Sequence, residues 1–110
     1  MVFGDKLVYV RMDTYPVAKG HALVVPFRHF ANYFDATEGE RRSIWRLVDR
    51  TKKAWDDLHS PSGYNIGMNI GAAAGQTVPH MHVHLIPRYV GDVDDPRGGV
   101  RCVIPAKQKY

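Results

Sequence analysis

The stretch His80-Met81-His82-Val83-His84-Leu85-Ile86-Pro87 decides how this 110-residue chain is read. Histidine and apolar residues alternate from 80 to 85, the period-two pattern of a strand with one face on a core. Side chains at i and i+2 of a strand project to one face about 6.6 Å apart. His80, His82 and His84 therefore share a face, and Met81, Val83 and Leu85 share the other. Half of the chain's six histidines stand in this one row. Burying three imidazoles in an apolar core demands three sets of hydrogen-bond partners. The row reads as a site on an open face.

Working outward, Tyr64 to Ile70 also alternates, apolar at even positions and small or polar at odd ones, and predicts a second strand. If the two strands pair, Tyr64, Ile66 and Met68 join Met81, Val83 and Leu85 on one face. Asn65, Gly67 and Asn69 then join the histidines, with Gly67 leaving room for a ligand. The connecting Gly71 to Val78 is a small-residue loop whose backbone N–H groups can approach a phosphate closely, with a Gln76 amide and a Thr77 hydroxyl beside them. Upstream, Leu7–Val10 predicts a first strand and Asp13–Gly20 a turn. His21–Pro26 is continuously apolar after its histidine, as in a strand buried on both faces.

Thr37 and Glu40 have capping-box spacing, and Ile44, Leu47, Val48, Thr51, Trp55 and Leu58 follow at helical intervals. These place one helix over 38–59, stopped by Ser60-Pro61-Ser62-Gly63. After Tyr89 the chain is Gly- and Asp-rich loop, with Val100–Ile104 expected as a short strand. The expectation is a single α+β domain over 1–110: an antiparallel sheet of about five strands, one long helix on one face, the other face open for ligand.

Composition narrows the partners. Hydrophobic residues make up 45% and charged residues 24%, an ordinary globular balance. Fifteen Lys and Arg against eleven Asp and Glu give +4, which suits an anionic small molecule but falls short of a nucleic-acid signature. Arg41, Arg42, Arg46, Arg50, Lys52 and Lys53 read as a solvated helix face. The lone Cys102 implies no internal disulfide, Met1–Lys6 has no apolar leader core, and no apolar run approaches a membrane span. A cytoplasmic protein without membrane or nucleic-acid partners is expected.

Two chemistries fit the histidine row. Neighbouring imidazoles on a strand can chelate zinc. His80 and His84, though, lie about 13 Å apart along a straight strand, so one ion would hold two of the three and need Asp13 or His21 as well. Alternatively, histidine is roughly three-quarters neutral at pH 7 and offers a free lone pair. It is then a nucleophile toward phosphorus, provided its other ring nitrogen is held as a donor. The middle residue is the natural attacker. A nucleotide-binding module without turnover is a third reading.

His80-Met81-His82-Val83-His84-Leu85-Ile86 resembles the motif of the histidine-triad family of nucleotide hydrolases and transferases. Asp13-x-x-Pro16-x-x-x-Gly20-His21-x-Leu23-Val24-Val25-Pro26 resembles its first nucleotide-binding segment, and Asn69 to His80 the segment leading into the triad. Asp95 to Arg101 is similar to the tail of microbial members resembling dinucleoside-polyphosphate hydrolases. The resemblance implies that His82 attacks an α-phosphate to form a nucleotidyl-histidine intermediate, which water resolves to a nucleoside monophosphate. It implies that His80 and His84 bind phosphate and fix the nucleophile, with His21 close by. Asp13 would meet the ribose hydroxyls, Asn69, Gln76 and Thr77 the phosphates, and Leu23 the base pocket. His29 and His59 match nothing catalytic and are expected at the surface. The family resemblance also implies a homodimer with a sheet continuous across two chains, with Trp45 a candidate interface residue. No protein-held metal or other cofactor is required, and a substrate-bound Mg²⁺ is compatible with the scheme.

Overall fold

The computed structural model describes residues 2–110. Five strands, β1 (Phe3–Gly4), β2 (Val8–Met12), β3 (Ala22–Pro26), β4 (Gly63–Gly67) and β5 (Val83–Arg88), form one antiparallel sheet in the order β1-β2-β3-β5-β4. A 22-residue helix, α1 (Glu38–His59), covers one face. The histidine-bearing β5 therefore lies inside the sheet, between β3 and β4.

Helix α1 starts where its sequence says it should. The Thr37 hydroxyl accepts from the Glu40 N–H at 3.1 Å, and the Glu40 carboxylate accepts from the Thr37 N–H at 2.8 Å. Glu40 is also buried against Arg28, which donates to both its oxygens and holds the carboxyl below the usual carboxylate range. Ile44, Leu47, Val48, Thr51 and Trp55 bury the helix stripe on Val8, Val10, Ala22, Val24, Val83 and Leu85. Each fully buried aliphatic of this kind contributes about 1.5–3 kcal/mol. Leu58 departs from the predicted stripe and is 68% exposed. The Trp55 indole donates to the Gly20 carbonyl at 2.6 Å. Gly20 has φ +88°, and a Cβ there would meet His59, Pro87 and Trp55 within 3.3 Å, so the turn into β3 needs glycine.

Three expectations are corrected. Val100–Ile104 is not a strand: Gly99–Val103 and Pro105–Lys107 are 3-10 turns. Gly98 and Gly99 adopt positive φ (94° and 50°), and Pro105 interrupts the run, so an extended path is broken at both ends. The fifth strand is instead Phe3–Gly4, paired with Tyr9 and Val10. β4 ends at Gly67 rather than Ile70. Its partner β5 begins only at Val83, because the preceding residues are drawn toward the exit of β3, where the Met81 N–H donates to the Phe30 carbonyl at 2.7 Å. Met68–Ile70 thus have no strand to pair with. Finally, β3 is buried on both faces except at one residue: Ala22, Val24 and Pro26 are buried toward the helix and Val25 is buried on the other face, whereas Leu23 beside it is only half-buried.

Candidate functional site

Strand pairing sets Leu23 opposite His84 and Gly67 on the other side of His84. These residues face away from α1, so the open side of the sheet is floored by β3 and β5. His84 projects from the strand itself, while His82 and His80 lie in the extended and bent segment that enters it. The rings of His82 and His84 are 5.1 Å apart.

Backbone and side-chain bonds assign the protons. Nδ1 of His82 lies 2.9 Å from the His80 carbonyl oxygen. A carbonyl only accepts, so Nδ1 carries a hydrogen, and in the neutral ring the lone pair is on Nε2. For His21, the Val17 N–H donates to Nδ1 at 3.1 Å, so its hydrogen must sit on Nε2. That Nε2–H faces Nδ1 of His84 at 2.9 Å and Oδ2 of Asp13 at 3.3 Å. Nδ1 of His84 therefore accepts, and the remaining Nε2–H of His84 is a donor. The result is a lone pair on His82 beside an N–H on His84, the pairing that attack at a phosphate with stabilisation of its oxygens requires.

Burial favours the neutral form of His21 and His84. His21 is 3% exposed, and burial is the main cause that lowers its pKa, against the opposing pull of Asp13. His84 is lowered chiefly by burial, then by His82 and His21, with Asp13 again opposing. In the unfolded chain both titrate near 6.5. Below that pH the unfolded chain takes up protons that the fold refuses, so stability is present above about 6.5 and is lost as pH falls. Thermal denaturation between pH 7.5 and 5.5, above the carboxylate range, is expected to show a falling midpoint; a flat profile would contradict neutral burial of this pair.

The other expected site residues divide. Asp13, Leu23, His80 and His82 line a cavity of about 280 Å³ with Tyr9, Arg11 and Val78. Asn69, His21 and His84 line a neighbouring cavity of about 530 Å³, closed on one side by Val100, Cys102 and Val103 of the tail. Gln76 is not free: its carbonyl accepts from the Gly71 N–H, and its amide donates to Ala31 and Val78 carbonyls, so it braces the loop. Thr77 is exposed beside it. His80 has both ring nitrogens engaged, Nε2 with the Pro26 carbonyl at 2.7 Å and Nδ1 with Nδ1 of His29 at 2.8 Å. It fixes geometry rather than offering a free ring nitrogen to phosphate. His29, exposed as expected, thus touches the triad. No periodicity marks it, since it lies beyond the end of β3. His59 is half-buried against Trp55.

Asp13, His21 and His84 also place ligand atoms within 4.8 Å of one another. An ion on Nε2 of His21 would push its hydrogen onto Nδ1, directly against the Val17 N–H. An ion held there would have to displace the bond between the Val17 N–H and Nδ1 of His21.

Residues 1–91 match the family model of the HIT domain. An AP-4-A phosphorylase of Mycobacterium tuberculosis is 34% identical over 95 residues, covering 86% of this chain and 49% of that protein. An asymmetrical bis(5'-nucleosyl)-tetraphosphatase of Schizosaccharomyces pombe is 37% identical over 93 residues, covering 84% of this chain and 51% of that protein. The chain thus spans about half the length of these curated relatives. The crystal structure of a HIT family protein from Bacillus anthracis superposes with a TM-score of 0.78 at 38% identity, covering 83% of this chain and 64% of that one.

Proposed function

Because the chain belongs to the HIT-domain family, we propose that it hydrolyses nucleotides at the α-phosphate, with a dinucleoside polyphosphate or a nucleoside phosphoramidate as substrate. The observation that carries this reading is the bond from Nδ1 of His82 to the His80 carbonyl, which in the neutral ring leaves the lone pair on Nε2, facing the open side. In the first step the Nε2 lone pair forms an N–P bond to the α-phosphorus in line with the leaving group. The P–O or P–N bond to that group breaks, and the group departs with the bonding pair, an amine taking up a proton from solvent as it leaves. Nε2–H of His84 donates to a phosphate oxygen as charge develops. In the second step water attacks phosphorus and gives up a proton to solvent, the N–P bond breaks, and a nucleoside monophosphate leaves with the His82 lone pair restored. Positioning and electrostatic stabilisation carry most of the rate. Asp13 supports His21 and lies at the mouth where ribose hydroxyls would sit, and a Mg²⁺ carried by the substrate is compatible.

The names of the relatives support the substrate class, since one is a phosphorylase of AP-4-A and another a bis(5'-nucleosyl)-tetraphosphatase. Our reading includes a homodimer: β4 is an edge strand with Ile66 exposed, and Trp45 stands 40% exposed on α1. It also places the protein in the cytoplasm, which suits its single exposed thiol. No helix among the described residues is long and apolar enough to cross a membrane.

The test is rapid-quench incubation with labelled dinucleoside polyphosphate and, separately, adenosine phosphoramidate. We expect acid-labile, base-stable label on His82 during turnover. The metal-dependent reading is favoured only by the closeness of Asp13, His21 and His84. It would instead give no label, with activity lost to chelator and restored by zinc.

A further inference from the structure

The segment that delivers His82 has no regular structure from Gln76 to His82, yet it is tied at several points to the stretch that leaves β3. The Gln76 amide donates to the Ala31 carbonyl at 2.8 Å, and the Met81 N–H to the Phe30 carbonyl at 2.7 Å. The His80 ring is held at both ends, by the Pro26 carbonyl and by His29. Of these ties, the one to His29 alone is made by a side chain of the β3 exit.

Proton assignment gives that contact a direction. The Pro26 carbonyl can only accept, so Nε2 of His80 carries its hydrogen. Nδ1 of neutral His80 then has only a lone pair, and the short contact to Nδ1 of His29 requires His29 to donate. The two rings are 4.9 Å apart. The His80 carbonyl, on the same residue, is the acceptor that keeps the hydrogen of His82 on Nδ1. Among the described residues, no third histidine, cysteine or carboxylate joins His29 and His80 closely enough to complete a metal site.

We propose that His29 is a positioning residue for the nucleophile, acting through His80: its Nδ1–H locks the His80 ring, and the locked residue holds its carbonyl where His82 must donate. The proposal rests on the reading of His82 as nucleophile. Without the His29 donor, the His80 ring keeps one anchor, and its carbonyl gains freedom to turn. His82 would then populate both neutral tautomers, and molecules with the hydrogen on Nε2 cannot attack. Partners that orient metal-bound histidines change function by about ten- to a hundredfold, and a small misplacement of a reacting group has an effect of the same size.

The test uses the full chain labelled with ¹⁵N-histidine. In the wild-type protein, long-range proton–nitrogen spectra should show His82 protonated at Nδ1 and bare at Nε2. His29→Ala is expected to convert those signals to a tautomer mixture. It should lower kcat on a dinucleoside polyphosphate by about ten- to a hundredfold while KM changes by less than about threefold. His29→Asn, whose amide N–H₂ can reach the same acceptor, should recover most of both. Unchanged His82 nitrogen signals in His29→Ala overturn the proposal, even where kcat and melting temperature fall together, because that pattern marks a merely structural role. Recovery equal in His29→Asn and His29→Leu would overturn it as well. Should the wild-type protein turn over no nucleotide, the nitrogen spectra still decide on His29, so the two readings fail separately.

Discussion

Glycine in place of His82 is expected to reduce kcat by roughly 10⁴-fold while nucleotide affinity stays within about threefold of the parent. The size follows from what is removed. His82 is the only histidine of the row with a ring nitrogen both free of internal partners and, by its bond to the His80 carbonyl, necessarily unprotonated in the neutral form. His84 cannot substitute, because its Nδ1 faces the His21 hydrogen and its other nitrogen is then a donor. His80 cannot substitute either, since both its nitrogens are engaged. No neighbour inherits the lone pair, so the two-step route closes rather than slows. Binding should survive because the other residues lining the cavity that His82 borders, Tyr9, Leu23, Val25 and Val78 among them, are untouched. Isothermal titration with a non-hydrolysable dinucleotide, beside steady-state kinetics, separates the two quantities. Retained turnover at the parental rate would remove His82 from the mechanism, and matched loss of binding and turnover would mean that the substitution damaged the fold.

Much of this was legible in the chain itself, and the unread part has physical causes. Helix α1 was readable to the residue because both of its ends carry local signals, Thr37 and Glu40 at the start and Ser60-Pro61 at the stop. The alternation of Tyr64–Ile70 and His80–Pro87 gave the correct faces, since pairing does set Ile66 beside Leu85 and Gly67 beside His84. Alternation says which face a residue takes but not how far the ladder runs. The ladder stops at Gly67 and Val83 because non-local bonds from Pro26 and Phe30 capture His80 and Met81. The number of strands came out as expected for the wrong reason, with Phe3–Gly4 replacing Val100–Ile104. A two-residue strand has too little sequence to show a period, and a β-branched run between Gly98-Gly99 and Pro105 looked extended when its glycines had already turned the backbone. In the site, His82, His84, His21 and Asp13 were named and do lie together. Gln76 turned inward and His29 joined His80, outcomes that depend on loop-to-loop contacts absent from any local pattern.

His21 offers the sharpest separation of fold from chemistry, because its two nitrogens do different things. Nδ1 accepts from the Val17 N–H and holds the turn before β3; Nε2 donates to His84 and fixes the tautomer beside the nucleophile. Asparagine places a carbonyl oxygen near the position of Nδ1 but reaches no further, whereas glutamine extends an N–H₂ toward the position of Nε2 and gives up the nearer acceptor. His21→Asn is therefore expected to melt close to the parent yet lose about a hundredfold in kcat/KM, since the hydrogen on His84 is no longer confined to Nε2. His21→Gln should keep kcat/KM within about tenfold and lose about 1–3 kcal/mol of stability, the usual consequence of stranding a partly buried backbone N–H. The acid sensitivity of stability should diminish in both, because one of the two imidazoles whose protonation the fold disfavours is gone. Denaturation curves at pH 7.5 and 5.5, run beside kinetics on the same preparations, decide the matter. If the two variants rank the other way, with asparagine active and glutamine dead, then the proton on His21 sits on Nδ1, His84 is the donor in that pair, and the assignment of a free N–H beside His82 is wrong.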